Sequence, residues 1–209
     1  QAAVSYAVGD GPSVMKLADL NGDGQLDIVT GNSYSKSASV LLGLGDGTFR
    51  AAVSYSVGYG PYDRPTTLKL ADLNRDGRLD LVTRNESSLS VLLALGDGTF
   101  RAAVSYAVGD GPNVLELVDL NGDGQLDLVT ANNYVDRVIV FWGLGDGRFQ
   151  DVSSYDVGEG PNAVELADLN GDGRLDLVTA NSFHDWKSST DPATVSVLLA
   201  ASNGTFHEA

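Results

Sequence analysis

The sequence predicts an all-β chain built from four repeats of a four-stranded antiparallel sheet, and three observations predict it. The stretch DLNGDGQLD from Asp19 returns as DLNRDGRLD from Asp72, DLNGDGQLD from Asp119 and DLNGDGRLD from Asp168, about fifty residues apart. Around each copy the other words keep one order: a run such as AVSYAVGDGP from Ala3, the Asp-rich stretch, then DIVTGN from Asp27 and SVLLGLGDGTF from Ser39. The apolar runs between turn residues last about 4–8 residues and nowhere sustain the i, i+3, i+4, i+7 spacing of a helix.

The elements follow in order. VMKLADL from Val14, DIVT, SVLLGL and an AAVSY run are each rich in β-branched or apolar residues and each bounded by Gly, Asn, Asp or Pro, so every copy supplies four strands. The GDG words at Gly45, Gly96 and Gly145, and the related SNGTF from Ser202, predict the tight hairpin between the third and fourth strands. Four antiparallel strands at this period suit a β-propeller blade. The blades are expected over 13–57, 66–108, 113–157 and 162–206 with 1–8, in one domain. Residues 1–8 join the last blade because AAVSY follows GDGTF as the outer strand in later copies, whereas no such run follows NGTFHEA. The N-terminal strand is thus expected to complete the last blade, which also removes an exposed edge. Half of an eight-bladed ring formed by two chains, or a piece of a longer propeller, fits the same pattern. The chain begins at Gln1 and has Met15 as its only methionine, as expected of a processed or excised segment. Insertions near Tyr62-Asp63-Arg64-Pro65 and after Asn181 mark loops.

The chain has 209 residues, 43% of them hydrophobic, which is ample for a core. The net charge of −15 is concentrated in the repeated stretch. Without a Lys/Arg cluster this acidity argues against nucleic acid and anionic membranes as partners and for cations as ligands. There is no cysteine, hence no disulfide or thiolate site. No apolar run approaches the roughly 18 residues that span a bilayer, so no membrane insertion is expected.

The Asp-rich stretch reads as a site for a hard divalent cation. Ca²⁺ takes about 6–8 oxygen ligands from carboxylates, amide carbonyls, backbone carbonyls and water. Asp19, Asn21, Asp23 and Asp27 stand at positions one, three, five and nine, with the carbonyl of Gln25 as a fifth ligand and Gly24 permitting the sharp turn. The order copies the start of an EF-hand loop, but strand-like residues follow, so this is no helix-loop-helix site. Asp, Asn and Gly also make ordinary turns, yet four copies keeping every ligand position favour metal. No His, Lys or Glu recurs beside the stretch, so the ions are expected to be structural rather than catalytic.

The chain resembles the FG-GAP or VCBS-type calcium-binding propeller repeats of integrin α-subunit heads and many bacterial surface proteins. The resemblance rests on DxNxDGxxD four times and on the recurring GDGTF and GxGP words. It implies that the loop joins the first two strands of each blade and holds Ca²⁺, about four ions per chain. The implied ligands of the second copy are Asp72, Asn74, Asp76, Arg78 through its carbonyl, and Asp80. Those of the third are Asp119, Asn121, Asp123, Gln125 and Asp127, and of the fourth Asp168, Asn170, Asp172, Arg174 and Asp176. Arg75 stands where the other copies have glycine, and a positive φ there would strain this loop.

In a propeller the Asp-rich loops and GDG turns share one face, and the divergent segments emerge on the other. Tyr34, Tyr62, Arg64, Tyr134, Arg137, His184 and Trp186 are the candidate ligand-binding residues of that opposite face. Aromatic rings beside Asn and Asp suit a sugar, though the residues do not choose between a glycan and a protein ligand. The recurrent Asn32, Asn85, Asn132 and Asn181 read as turn formers, and Tyr6, Tyr55, Tyr106 and Tyr155 as packing between blades. His184 and His207 are the only histidines and no nucleophile or phosphate-binding spacing is present, so no enzyme is expected. The expected function is a calcium-binding extracellular or cell-surface recognition and adhesion module, with lectin-like carbohydrate binding as one form of it. The alternatives are a structural or calcium-buffering surface domain and, behind both, an enzyme built on the inserted loops. Either a monomer or a strand-sharing homodimer fits.

Overall fold

The computed structural model describes residues 3–58, 60, 62–109, 111–182, 193–201 and 204–208. They form four antiparallel four-stranded sheets and, among the described residues, no helix. The chain divides into two compact units, Gln1–Ala107 and Val108–Ala209, with two sheets each.

In the first unit, β1 (Pro12–Ala18), β2 (Asp27–Asn32), β3 (Ser37–Leu41) and β4 (Val53–Ser56) pair in that order, as do β5 (Pro65–Ala71), β6 (Asp80–Asn85), β7 (Ser88–Leu92) and β8 (Val104–Ala107). In the second unit β9 (Glu116–Val118), β10 (Asp127–Asn132), β11 (Arg137–Gly143) and β12 (Phe149–Asp156) make one sheet. The other contains β13 (Pro161–Ala167), β14 (Asp176–Asn181), β15 (Thr194–Ala200) and β16 (Phe206–Glu208). The middle strands read as nearly continuous apolar runs because both of their faces are covered: every residue of β3, β7 and β10 is buried. Each unit has its own core. Leu20, Val29, Ala38 and Val40 of the first sheet cluster with Leu68, Leu81, Leu92 and Phe100 of the second. Leu120, Val129, Val138 and Val140 cluster likewise with Val164, Leu177, Leu198 and Phe206.

In each unit the Tyr of one outer strand secures this packing. The Tyr55 ring meets Phe100 edge-on at 5.8 Å between centroids, and its hydroxyl accepts the Phe100 N–H at 3.0 Å. Tyr155 meets Phe206 in the same way at 5.3 Å. Tyr6 does so with Phe49 at 5.5 Å, although Ala3–Ala7 lies outside the named strands. The fourth strand of the last sheet is the short β16. It meets only Leu198–Ala200.

The recurrent asparagines are not turn formers but buried hydrogen-bond hubs. Asn85 accepts from Thr83 Oγ1 at 3.0 Å and donates through Nδ2 to Ser88 Oγ at 2.9 Å and Ser90 Oγ at 3.0 Å. Ser90 then meets Ser105 of the outer strand at 2.8 Å and accepts the N–H of Gly58 at 2.9 Å. Asn32 and Asn181 are held alike, so one amide ties three strands and the incoming chain. In the third sheet Ile139 replaces the central serine. Asn132 Nδ2 turns to the carbonyl of Val108, and Thr130 Oγ1 and Asn132 Oδ1 are buried with no hydrogen-bond partner.

A lost hub exposes its partners to a desolvation penalty of about 1–3 kcal/mol. Asn85→Ala is therefore expected to lower stability by about 2 kcal/mol, and Asn132→Ala by less than half of that, as measured by urea unfolding.

Candidate metal centre

Each Asp-rich loop joins the first two strands of a sheet. It lies at the end where β1 and β2 meet through Ala18 and Asp27 and where Gly43 bridges Phe49. The sheet's other end carries Pro12, Asn32 and Ser37. The loops and the GDG turns thus share one end of every sheet, as the repeat order predicted.

Within a loop, the carboxylates fold the chain. Asp19 accepts the N–H of Gly22 and Gly24, each at 2.8 Å, and that of Asp23 at 3.2 Å. Asn21 Oδ1 accepts the Asp23 N–H at 3.0 Å, while its amide nitrogen donates to Asp23 Oδ2 at 2.9 Å. Asp23 Oδ1 accepts from Gln25 N at 2.8 Å. Loops two, three and four repeat this around Asp72, Asp119 and Asp168. The Gly24 and Gly22 N–H bonds hold the Asp19 carboxyl below its ordinary range, and those of Gly173 and Gly171 do the same for Asp168.

The ninth position has a second task. Asp27 is fully buried, its Oδ2 accepting the N–H of Leu20 at 2.8 Å and its Oδ1 that of Gly43 at 2.7 Å. Asp80 joins Leu73 to Ala94, Asp127 joins Leu120 to Gly143, and Asp176 joins Leu169 to Ala200. One carboxylate therefore ties each loop to the hairpin of its own sheet. Burial raises the pKa of Asp80, and the charges of Asp76 and Asp72 add to the rise; Asp127 is raised by burial and then by Asp123 and Asp119.

Side chains at the seventh position lie on the same hairpin. Gln25 reaches over Gly45 and Arg78 over Gly96, where a Cβ would stand 2.8 Å from Gln25 Oε1 and 2.5 Å from Arg78 Nε. Gly45 and Gly96 also have φ of 80° and 89°. The first glycine of GDG thus belongs to the loop's structure as much as to the hairpin's.

Among the described residues, no three His, Cys, Asp or Glu side chains converge into a ready metal cluster. The donor chemistry nevertheless fits a hard cation. Every loop offers carboxylate and amide oxygens in close sequence, and in the second and third loops the charges of the other two carboxylates add to the burial that raises the proton affinity of Asp80 and Asp127. An ionised carboxylate has about four lone-pair sites, so the ninth Asp can hold two N–H groups and still face an ion.

The opposite end of the first two sheets carries Tyr34, exposed, with the Arg64 guanidinium 5.7 Å from its ring centroid. The Tyr34 ring lies on Gly11, where a Cβ would meet ring carbon Cδ2 at 2.6 Å; Tyr134 lies on Gly111 at 2.3 Å. The sequence points to these tyrosines through their place in the divergent segments but not to their glycine floors. Nor does it point to Ser13 and Ser33, whose hydroxyls are 2.7 Å apart, or to Asn113, which donates to the Pro161 carbonyl at 2.6 Å. Tyr62 is exposed, and Arg137 is paired with Asp156 at 2.7 Å. His184 and Trp186 lie outside the described residues.

Repeated loops of this design, each bracing its own four-stranded sheet, define a repeat family, and comparison with known proteins identifies it. The chain belongs to the FG-GAP-like repeat family, which matches residues 19–83, 72–130 and 119–179. A search of curated proteins returns no match. Among solved structures the chain is similar to an Agrocybe aegerita lectin described as specifically recognising non-reducing terminal N-acetylglucosamine. The two share 25% identity over 91% of this chain and 49% of the lectin, with a TM-score of 0.59. It is also similar to the Pseudomonas aeruginosa periplasmic gluconolactonase PpgL, at 20% identity over 75% of this chain and 43% of that one, with a TM-score of 0.57. The V. cholerae biofilm matrix protein Bap1 matches at 19% identity over 97% of this chain and 32% of that one, with a TM-score of 0.52. The last two likenesses concern the fold alone. The chain spans about half the length of the lectin and less of the other two.

Arg75 has φ of 59°, where its counterparts Gly22, Gly122 and Gly171 have 74°, 76° and 79°. A left-handed non-glycine residue costs roughly 1 kcal/mol. Arg75→Gly is expected to stabilise the protein by about that amount and Gly22→Ala to destabilise it similarly in urea unfolding with calcium present.

Proposed function

We propose that the chain is a calcium-stabilised β-propeller module, its sheets the blades 13–57, 66–108, 113–157 and 162–206, that recognises carbohydrate outside the cell. The observation that carries the reading is the likeness to the N-acetylglucosamine-recognising lectin at 25% identity over 91% of this chain. The site chemistry supports it. Tyr34 and Tyr134 are exposed rings backed by Gly11 and Gly111, and the Arg64 guanidinium stands over the Tyr34 ring. A sugar's C–H face packs on such a ring, and Arg64, Ser13 and Ser33 beside Tyr34 offer donors for hydroxyl groups.

Calcium has a structural part in this reading. The residues that would hold it are those at positions one, three, five, seven and nine of each loop, from Asp19 to Asp27 and in the three later copies. A bound ion would neutralise carboxylates that otherwise repel one another, and it would fix the loop that the ninth Asp ties to its hairpin. The module is read as non-catalytic, since no acid-base pair recurs among the repeats of the sequence. An outer strand of AVSY sequence is expected to complete the last blade.

Binding to immobilised glycans is the direct test. N-acetylglucosamine-terminated glycans are expected to be retained and to lose at least about tenfold in affinity on Tyr34→Ala or Tyr134→Ala, roughly the 1.4 kcal/mol of one stacking contact. Unchanged binding by the double variant, or no retention at all, would contradict the reading. Each independent calcium site at ~100 times its Kd adds about 2.7 kcal/mol, so a chelator is expected to lower the melting temperature markedly.

A further inference from the structure

We propose that the chain docks a second copy of itself head to tail, the far face of the β13–β16 sheet of one copy packing on the near face of the β1–β4 sheet of the other. The proposal rests on the reading of the sheets as propeller blades. Within the first unit, the face of the first sheet bearing Leu20 and Ala38 packs on the face of the second bearing Leu68, Leu70 and Leu79. The second unit repeats this, with Leu120 and Val138 against Val164, Leu166 and Leu175. The chain thus has a proven pair of complementary faces.

One face of each kind is uncovered. Register makes Met15 and Leu17 the counterparts of Leu68 and Leu70, and Met15 is 62% and Leu17 57% exposed where Leu68 is 2%. Leu26, the counterpart of Leu79, is 60% exposed. At the other kind of face, Leu169 is 52% exposed where Leu20, Leu73 and Leu120 are 4–6%. Val195 is 65% exposed where Ala38, Leu89 and Val138 are fully buried. Side chains chosen for a core thus stand in water, as at an interaction surface.

The edge beside Val195 is fitted to the same occupant. Among the described residues Thr194–Val197 has no strand on its outer side, whereas the equivalent Ser37–Val40 pairs with β4. A groove of about 510 Å³ runs there, lined by Val157, Gly158 and Val195–Leu198. Val4-Ser5-Tyr6-Ala7 repeats the VSYS of β4 and the VSYA of β8, and lies outside the named strands with Val4 71% exposed. Tyr6 already sits on Phe49 as Tyr55 sits on Phe100, so this segment lies along the uncovered β1–β4 face where an outer strand of the docking sheet belongs. Docking would lay it against β15, with Ser5 meeting Ser196 as Ser54 meets Ser39 at 2.7 Å. Each copy offers one face of each kind, so two copies satisfy both through two equal contacts.

Light scattering on the purified 209-residue chain tests this, with a molar mass twice the 21.8 kDa of one chain expected. Leu17→Glu and Leu169→Glu should each give monomers, and their equimolar mixture should regain a dimer because one contact pairs two unaltered faces. Circular dichroism shows whether each variant is folded, and Met15→Glu and Val195→Glu provide second variants of the two faces. A monomeric parent chain overturns the proposal, and so does a dimer lost with Leu17→Glu but kept with both Leu169→Glu and Val195→Glu, since that face would then pair with itself. A dimer that retains no glycan overturns the carbohydrate reading alone, and a glycan-binding monomer overturns this proposal alone.

Discussion

The buried carboxylate at the ninth position of each Asp-rich stretch is the constraint on which the rest of the structure depends. Asp27 takes the N–H of Leu20 on one oxygen and that of Gly43 on the other, and thereby fixes the loop against the hairpin of its own sheet. Leu20 can be buried only because its amide is satisfied there, and Leu20 is part of the core shared with the next sheet. The glycine that the seventh side chain covers belongs to the same hairpin. Loop, hairpin and core are thus one unit, and this explains why DxNxDGxxD and GDG travel together along the chain.

At the other end of each sheet the organising group is neutral. Asn32, Asn85 and Asn181 join the middle strands to the incoming chain through amide and hydroxyl groups. Such a network rests on neutral groups, joined in the second sheet by the buried Asp63 carboxylate, which accepts from Ser88 Oγ, and it leaves that end free to carry the exposed tyrosines. The third sheet, with Ile139 in the serine's place, gives up part of the network, and Thr130 and Asn132 are left with unpartnered oxygens. The two ends therefore tolerate change differently: the charged end repeats nearly letter for letter, and the neutral end varies.

Much of the fold was legible because its signals are local. Strand runs, the GDG hairpins and the loop folded by Asp19 all act within a few residues, and the positive φ of Arg75 follows from its alignment with three glycines. What escaped the sequence depends on contacts across strands. Asn85 reads as a turn residue until Ser88 and Ser90 are seen opposite it, although the Thr-x-Asn and Ser-x-Ser spacings were a usable signal. The pairing of Asp27 with Gly43 spans a whole hairpin. At the candidate sugar-binding end the tyrosines were visible and their glycine floors were not, because Gly11 and Gly111 also serve as turn residues with φ of 69° and 77°.

Calcium stoichiometry by equilibrium dialysis tests the central claim most directly. Four loops with the same donor order predict about four ions per chain, with oxygen-ligand selectivity for calcium over softer metals. An Asp19→Ala variant should bind one ion fewer. A chain that binds no calcium would contradict the account, since the repeated carboxylates would then be turn residues alone.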